Sequence, residues 1–428
     1  MSDPDPPATR IDPPAFLSDP APAAVLAALP GSRAVGGAVR DALARRPVAD
    51  VDVAAPFPPE EIAARLTAAG LRVHETGLSH GTVTAVLRGE PVEVTSLRRD
   101  VLTDGRHAVV EWTTDWREDA ARRDFTMNAL SLSATGELWD YFGGRGDLEA
   151  GRVRFVGDPA IRLEEDHLRA LRYFRFQARY GCGEPDPAAV AAIREVVPYL
   201  SRLSVERIWM ELKRLLAAPD PAEAVALAEE TGVLPAVLGP DCLGASRHLR
   251  ALAEIGAPLD PMLRFDALLT HGSAEAARRL KASNEEVQRL VARYRAGHDL
   301  LPLQPAIAEG GPDDDTLRRL LAEQLPERLA DAAWHRQAVN RAWGWQGPDD
   351  AAWARFRERI AAMPRPVFPL QGRDALAMGV KPGPEMGRLL AETRRWWLEG
   401  GCTAGAEACL ARLAGLMPDI HGNALPKR

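Results

Sequence analysis

Two aspartates one residue apart, Asp50 and Asp52, lie in VADVDVAA, which alternates at the two-residue period of a half-buried strand. Successive side chains on a strand point to opposite faces, so both carboxylates project to one side and Val51 and Val53 to the other. Two carboxylates about 7 Å apart along a strand can share a hard, oxygen-seeking cation such as Mg²⁺, which keeps waters and takes substrate phosphates as further ligands. A solvated strand edge has the same pattern. Glu93, in PVEVTSLR, alternates with Val92 and Val94. It adds a third carboxylate if its strand neighbours that of Asp50, and is otherwise an exposed strand residue.

A second set of residues suits anions. Gly36-Gly37 falls where a short strand over 33–35 gives way to the helix AVRDALARR. Glycines there let backbone N–H groups approach a ligand, and the helix start favours negative charge. Arg40 follows one turn inside. The spacing is neither G-x-G-x-x-G nor that of a P-loop with its lysine, so both of those readings lack their residues; a structural turn remains the alternative. EDAARRDFTMNAL (118–130) puts Arg122 and Arg123 beside Asp124, with Asn128 four residues on, at an expected helix start or on ordinary charged surface. EEDHLRALRYFRFQARYG (164–181) places Asp166, Arg169, Arg172 and Arg175 at three-residue steps, which drift round a helix by about 60° each. Among Leu168, Leu171, Phe174 and Phe176, these arginines cannot all be solvated.

Strands must position the carboxylates, and strand signals are confined to the first part of the chain. A short Ala/Leu helix from Pro20 to Pro30-Gly31 precedes the 33–35 strand, and the helix PPEEIAARLTAAG, closed by Gly70, follows VADVDVAA. GTVTAVLRGEPVEVTSLR then reads as a hairpin, with Pro91 at a strand start. From about residue 160 helical periodicity takes over, broken by Pro and Gly near 183–187, 219–221, 256–261 and 302–313. The expected architecture is an α/β head followed by an all-α remainder. A Pro-rich, acidic lead-in over 1–22 is expected to be disordered.

Composition bounds the rest. A chain of 428 residues, 46% hydrophobic and 26% charged, reads as an ordinary globular protein of several units. Its net charge of −7 means that any nucleic-acid partner must be held by local basic clusters. Cys182, Cys242, Cys402 and Cys409 lack zinc or redox spacing and suit a reducing cytoplasm. The N-terminus follows neither the signal-peptide nor the transit-peptide plan, and no window approaches a membrane span.

Taken together, VGGAVRDALARRPVADVDVA, VEVTSLR, RRDFTMNAL, DYFGGRGDL, GDPAIRLEEDHLRALRYFRFQARYG and LSVERIWMELKRLL resemble, in order and spacing over about residues 33–215, the class II tRNA nucleotidyltransferases and bacterial poly(A) polymerases of the DNA polymerase beta superfamily. That resemblance implies a polymerase-beta-like mixed sheet with helices as catalytic head (23–150). An all-α neck that recognises the base (151–218), a body (219–305) and an RNA-binding tail (306–428) would follow. It implies Asp50 and Asp52 as ligands of catalytic Mg²⁺, with Glu93 beside them, and Gly36, Gly37 and Arg40 on the triphosphate. Arg122, Arg123 and Asn128 would serve the nucleotide pocket, and Arg172 and Arg175 would also bind nucleotide, with Arg179 a further candidate. Asp166 and Arg169 would read the base. Cytosine and adenine both present an exocyclic amine donor beside a ring-nitrogen acceptor, whereas guanine and uracil reverse that pattern, so an acid next to an arginine accepts C and A. Partners are then the tRNA 3′ end, CTP and ATP, with neither membrane nor DNA.

The stretch RRDVLTDGRHAVVEWTTDW (98–116) is polar and irregular enough for a loop, and by the resemblance corresponds to a flexible loop that helps relatives switch from C to A addition. FPLQGRDALAMGVKPGPEMGRLL resembles a tail segment, with Gly379 and Pro382-Gly383 opening a helix. His298-Asp299, lacking partners for a phosphohydrolase centre, reads as a helix end, and Arg207, Lys213 and Arg214 are candidates for gripping tRNA. A poly(A) polymerase, an A-only or CC-only enzyme, and an inactive RNA-binding relative remain open at this point.

Overall fold

The computed structural model describes residues 5–77, 81–103, 108–242 and 244–417, in two compact units, Met1–Ala245 and Ser246–Arg428. The first unit carries the strands β1 (Thr9–Arg10), β2 (Arg33–Val35), β3 (Asp52–Ala55), β4 (Arg72–Gly77), β5 (Thr82–Leu87), β6 (Glu90–Ser96), β7 (Arg98–Thr103), β8 (Ala108–Trp112), β9 (Leu130–Leu132) and β10 (Glu137–Asp140). Eight of them form one mixed sheet in the order β1-β10-β9-β2-β3-β6-β5-β4, antiparallel throughout except for the parallel β3–β6 pair. A parallel neighbour needs a crossover. The helix α3 (Pro59–Ala68) and the strands β4 and β5 lie within that connection, after α1 (Pro20–Ala28) and α2 (Gly37–Leu43).

The period-two pattern of β6 decides which face is buried. Val92 and Val94 enter a core with Val25 and Leu29 of α1 and Ile62 and Leu66 of α3, and Val53 of β3 joins them. Glu93 therefore faces the other, exposed side of the sheet. The remaining helices of this unit that bear on function are α4 (Trp116–Ala121), α5 (Gly144–Glu149), α6 (Pro159–Glu165), α7 (Arg169–Tyr180), α8 (Pro187–Val196) and α9 (Val205–Leu216). Phe125 ties sheet to helices: its ring centroid lies 4.9 Å from that of Phe155 and 4.8 Å from that of Phe176 on α7.

Four expectations change. The lead-in is ordered from residue 5: β1 pairs with β10, Phe16 and Leu17 are buried, and the Asp5 carboxylate pairs with Arg33 and accepts from the Tyr141 hydroxyl. Arg33 is in turn stacked between the rings of Trp116 and Trp139, 4.1 and 3.5 Å from their centroids. Prolines removed helix and strand signals there without removing the anchors. Second, the 98–116 stretch contains the antiparallel β7–β8 pair in place of an irregular loop; its residues 104–107 lie outside the described residues. Third, Arg122 closes a helix, as the C-cap of α4, and does not open one. Fourth, 164–181 is not one helix: α6 ends at Glu165, and Asp166, with φ −156°, separates it from α7.

The second unit is helical throughout its described residues. His298 and Asp299 lie within the last turn of the helix Asn284–Leu300, and Gly383 precedes the helix Pro384–Glu399. No helix of the described residues is long and apolar enough to cross a membrane.

Candidate active site

The strand register brings the first group together. β2 and β3 pair with Val35 opposite Asp52, and β3 and β6 pair with Asp52 opposite Glu93. The turn at Gly36, which follows Val35 directly, therefore leaves the sheet beside the two carboxylates. Gly36 has φ 64°, and a Cβ there would lie 3.1 Å from Arg123 Nη1. Only glycine combines that backbone with so close an arginine.

Asp52 opens β3 half-buried, while Asp50 is exposed and sits before the strand, not within it. Burial, then the negative charge of Glu93 and, more weakly, Asp50, push the Asp52 carboxyl above its ordinary value, and Arg123 opposes them. Among the described residues no ion pair neutralises Asp50, Asp52 or Glu93. Nor does any group of three or more His, Cys, Asp or Glu side chains there suffice to hold a metal alone. Two acids without an ion-pair partner, short of a full ligand set, suit a cation that draws the rest of its shell from water and phosphate.

The arginines around this edge are fixed by acids. Asp119, buried on α4, lies 2.7 Å from Arg122 and 3.1 Å from Arg123. Burial alone would raise its carboxyl; the Arg123 and Arg122 guanidinia outweigh that and hold it below its usual value. Arg40 donates from Nη1 to Asn128 Oδ1 at 2.6 Å and from Nε and Nη2 to Asp41, and its guanidinium lies over the Tyr180 ring. Asn128 donates from Nδ2 to Asp124 Oδ1 at 2.8 Å, and Arg172 Nε donates to Asp124 Oδ2 at 2.8 Å. One hydrogen-bonded chain thus runs Arg172–Asp124–Asn128–Arg40–Asp41, and the Tyr180 hydroxyl closes it onto Asp41. It joins both ends of α7 to α2.

On the helical side, Arg175 Nε lies 2.7 Å from Glu211 of α9, with Arg172 at 3.9 Å and Arg214 at 3.6 Å from the same carboxylate. Asp166 Oδ1 accepts from the Leu168 amide at 3.1 Å, and Oδ2 accepts from Arg207 Nη2 of α9 at 2.6 Å. Arg169 contacts Glu165 and donates to the carbonyls of Arg162 at 2.8 Å and Arg122 at 3.3 Å. Asp166 and Arg169 are therefore close in sequence but paired elsewhere. Arg207, a candidate for gripping tRNA, is partly exposed and faces Asp166. Lys213 lies over the Trp209 ring, and Arg179 donates to the Tyr180 hydroxyl.

Sequence reasoning named the bases of these pairs and missed most of the acids: Asp41, Asp119, Glu165 and Glu211 were given no role. It also missed why DYFGGRGDL matters. Asp140 accepts from the Gly144 and Arg145 amides, and buried Asp147 accepts from the Thr126 hydroxyl at 2.7 Å and Arg154 at 2.9 Å. A Cβ on Gly144 would collide with the Thr126 carbonyl. This segment holds the 126–128 turn, and so Asn128, in place.

Comparison with known proteins came to the same region. Residues 32–154 match the family described as the poly A polymerase head domain, and 184–242 match the probable RNA and SrmB-binding site of polymerase A. The chain is 35% identical over 390 residues to the mitochondrial CCA tRNA nucleotidyltransferase 1 of Danio rerio, covering 89% of this chain and 86% of that one. It is 32% identical over 383 residues to the CCA-adding enzyme of Streptococcus gordonii, covering 88% and 91%. Among solved structures, the Bacillus stearothermophilus CCA-adding enzyme in complex with CTP superposes with a TM-score of 0.73 at 28% identity, over 93% of this chain and 98% of that one.

Proposed function

The chain belongs to the family of CCA-adding tRNA nucleotidyltransferases, and from that premise we propose how its residues divide the work. The activity is addition of C, C and A to the tRNA 3′ end, from CTP and ATP, with release of pyrophosphate. The observation that carries the assignment of roles is the register Val35–Asp52–Glu93, which sets the Gly36 turn and the carboxylate edge side by side.

Asp50 and Asp52 would hold Mg²⁺, with Glu93 alongside. The ion, when bound, lowers the pKa of a hydroxyl and stabilises the charge that builds at phosphorus. The backbone at Gly36 and Gly37 admits the triphosphate, and Arg40, Arg122 and Arg123 supply positive charge in fixed orientations. Because Asp119, Asp41 and Asn128 already hold these guanidinia, little reorganisation is required when the nucleotide arrives. No side chain acts as nucleophile; the attacking group is the RNA 3′-hydroxyl. Asp166 and Arg169 read the base, and Arg172 and Arg175, anchored by Asp124 and Glu211, complete the nucleotide wall. Along the chain, 23–150 would be the catalytic head, 151–218 the base-reading neck, 219–305 the body and 306–428 the RNA-binding tail. We place the protein in the cytoplasm, where the four free cysteines stay reduced.

The test supplies purified protein with Mg²⁺, one nucleotide at a time, and tRNAs ending before, within and after the CCA triplet. Growth by C, C and A followed by arrest is expected. Long A tails on generic RNA would establish a poly(A) polymerase instead, and absence of incorporation would leave an RNA-binding protein.

A further inference from the structure

Two strands, β10 and β9, separate β1 from β2 in the sheet, yet the segment that precedes β1 reaches β2. The Asp5 carboxylate accepts from Arg33 Nη2 at 2.8 Å and from the Tyr141 hydroxyl at 2.7 Å, and the Asp5 carbonyl accepts from Trp139 Nε1 at 2.9 Å. Arg33 Nη1 donates to the same hydroxyl oxygen at 3.1 Å. Arg33 is only 7% exposed, and Trp116 and Trp139 cover both of its faces, so an acid can meet its charge only at the edge of the guanidinium. Among the described residues, Asp5 is the acid that does so.

Arg33 stands where the site is framed. It pairs opposite Ala54, and Val35 pairs opposite Asp52. By the two-residue period Arg33 therefore lies on the carboxylate face of the sheet, about 7 Å along β2 from Val35 and the Gly36 turn that follows. Trp116, against one face of Arg33, is the first residue of α4 and packs on the cluster of Val35, Ala54 and Leu97. The same helix carries Asp119, which holds Arg122 and Arg123. Tyr141 packs against Ala120 of α4 and against Ala129, the neighbour of Asn128. The turn, α4 and Asn128 thus converge on one buried arginine whose counter-ion comes from the lead-in.

We infer that Asp5 is a positioning residue for the nucleotide: through Arg33 it sets the Gly36 turn and the α4 arginines at a fixed spacing, so that the lead-in belongs to the frame of the triphosphate site. Without Asp5 the guanidinium is a buried charge that has lost its acid, and it must turn toward water, which loosens Trp116 and the start of α4. CTP and ATP share the triphosphate, so the consequence falls on both alike and leaves base choice untouched. This inference rests on the triphosphate role of Gly36, Arg122 and Arg123.

The full-length protein is assayed well below its melting temperature, with each of the four nucleotides, on tRNA lacking CCA and on tRNA ending in CC. The variants are Asp5→Ala, Asp5→Asn, Tyr141→Phe and Arg123→Gln, each with a melting curve. In Asp5→Ala the KM for CTP and that for ATP rise by the same factor, roughly three- to tenfold, as when one hydrogen bond to the phosphates is weakened. Base preference and the KM for tRNA do not change. Asp5→Asn, which keeps an acceptor without the charge, gives a smaller rise, as does Tyr141→Phe. A purely structural anchor behaves otherwise: unfolding removes active molecules, so kcat falls with the melting temperature while every KM stays where it was. That result in Asp5→Ala, or in Asp5→Asn where the alanine variant does not fold, overturns the inference. A rise confined to the KM for tRNA overturns it as well, assigning the lead-in to the RNA surface. Arg123→Gln separates the two levels. If it raises both nucleotide KM values while the Asp5 variants do not, only the positioning role of Asp5 falls. If it leaves them unchanged, the triphosphate role of that arginine falls, and the inference with it.

Discussion

Asp52 has its function and its stability set against each other. Its carboxyl is raised by burial and by Glu93 and Asp50. A raised folded-state pKa means that the folded protein binds the proton more tightly than the unfolded chain does, so this group's contribution falls as pH climbs from the ordinary carboxylate value to the raised one. At neutral pH Asp52 therefore works against the fold. Asp52→Asn should melt no lower than wild type while losing at least about a hundredfold in nucleotide incorporation, on the scale of removing a charge-stabilising group. Calorimetry and a single-turnover assay on the same sample check both halves. Asp119 is the opposite case, since it anchors Arg122 and Arg123 without facing the reaction. Asp119→Ala strands two guanidinia that are half-buried or more, and should cost about 3 kcal/mol in urea unfolding while raising the KM for both nucleotides.

Among elements, the short α5 and the 126–128 turn carry more of the site than their length suggests. Gly144 presses against the Thr126 carbonyl, so Gly144→Ala must move the turn that holds Asn128, and through Asn128 it moves Arg40. A loss of about 1–3 kcal/mol is expected from overpacking, together with a raised nucleotide KM, read by thermal melting and steady-state kinetics. Elements of this kind explain what was legible in the sequence. Period-two alternation in β6 put Glu93 on the correct face, because strand periodicity is a local property. The break at Asp166 was missed because EEDHLRALRYFRFQARYG has no Pro, and no Gly before Gly181 at its end; the available signal was an aspartate able to accept from the Leu168 amide. The Gly-Gly turn and both aspartates were visible as residues, but that they share one edge depends on which strands pair. Partners such as Glu211 for Arg175, on separate helices, follow only from packing.

For the whole molecule, the two units should respond differently to acid. The second buries a cluster around Asp266, which accepts from Ser273 Oγ at 2.6 Å, ion-pairs with Arg293 at 2.5 Å and lies 2.8 Å from His335 Nδ1. The His248 ring centroid is 4.7 Å from that of His335. Burial pushes His248 down to about 3, helped by His335, and burial keeps His335 below its usual value despite Asp266. Asp266 is held low, its positive neighbours outweighing burial. Depressed histidines favour the fold fully above the ordinary value of about 6.5, and that advantage is lost as pH falls toward the folded value; the depressed Asp266 adds a loss below about 4. Differential scanning calorimetry at pH 7.5 and 5 should show the transition of unit Ser246–Arg428 falling more than that of Met1–Ala245. Replacing His248 with leucine should shrink the difference.

The ordered lead-in also sets a timetable. Thr9 pairs with Leu138, so β1 closes the sheet's edge against β10, the last of the described strands to be made. About 130 residues separate them, roughly 6–26 s of translation at the usual rate of about 5–20 residues per second. For that interval the emerging segment must wait without a partner, exposed to any open strand. Six of its first twenty residues are proline, Pro4, Pro6, Pro7, Pro13, Pro14 and Pro20, and a residue without an N–H cannot continue a ladder. The composition that hid this strand from sequence reading is what lets a nascent chain carry it safely until its partner is synthesised.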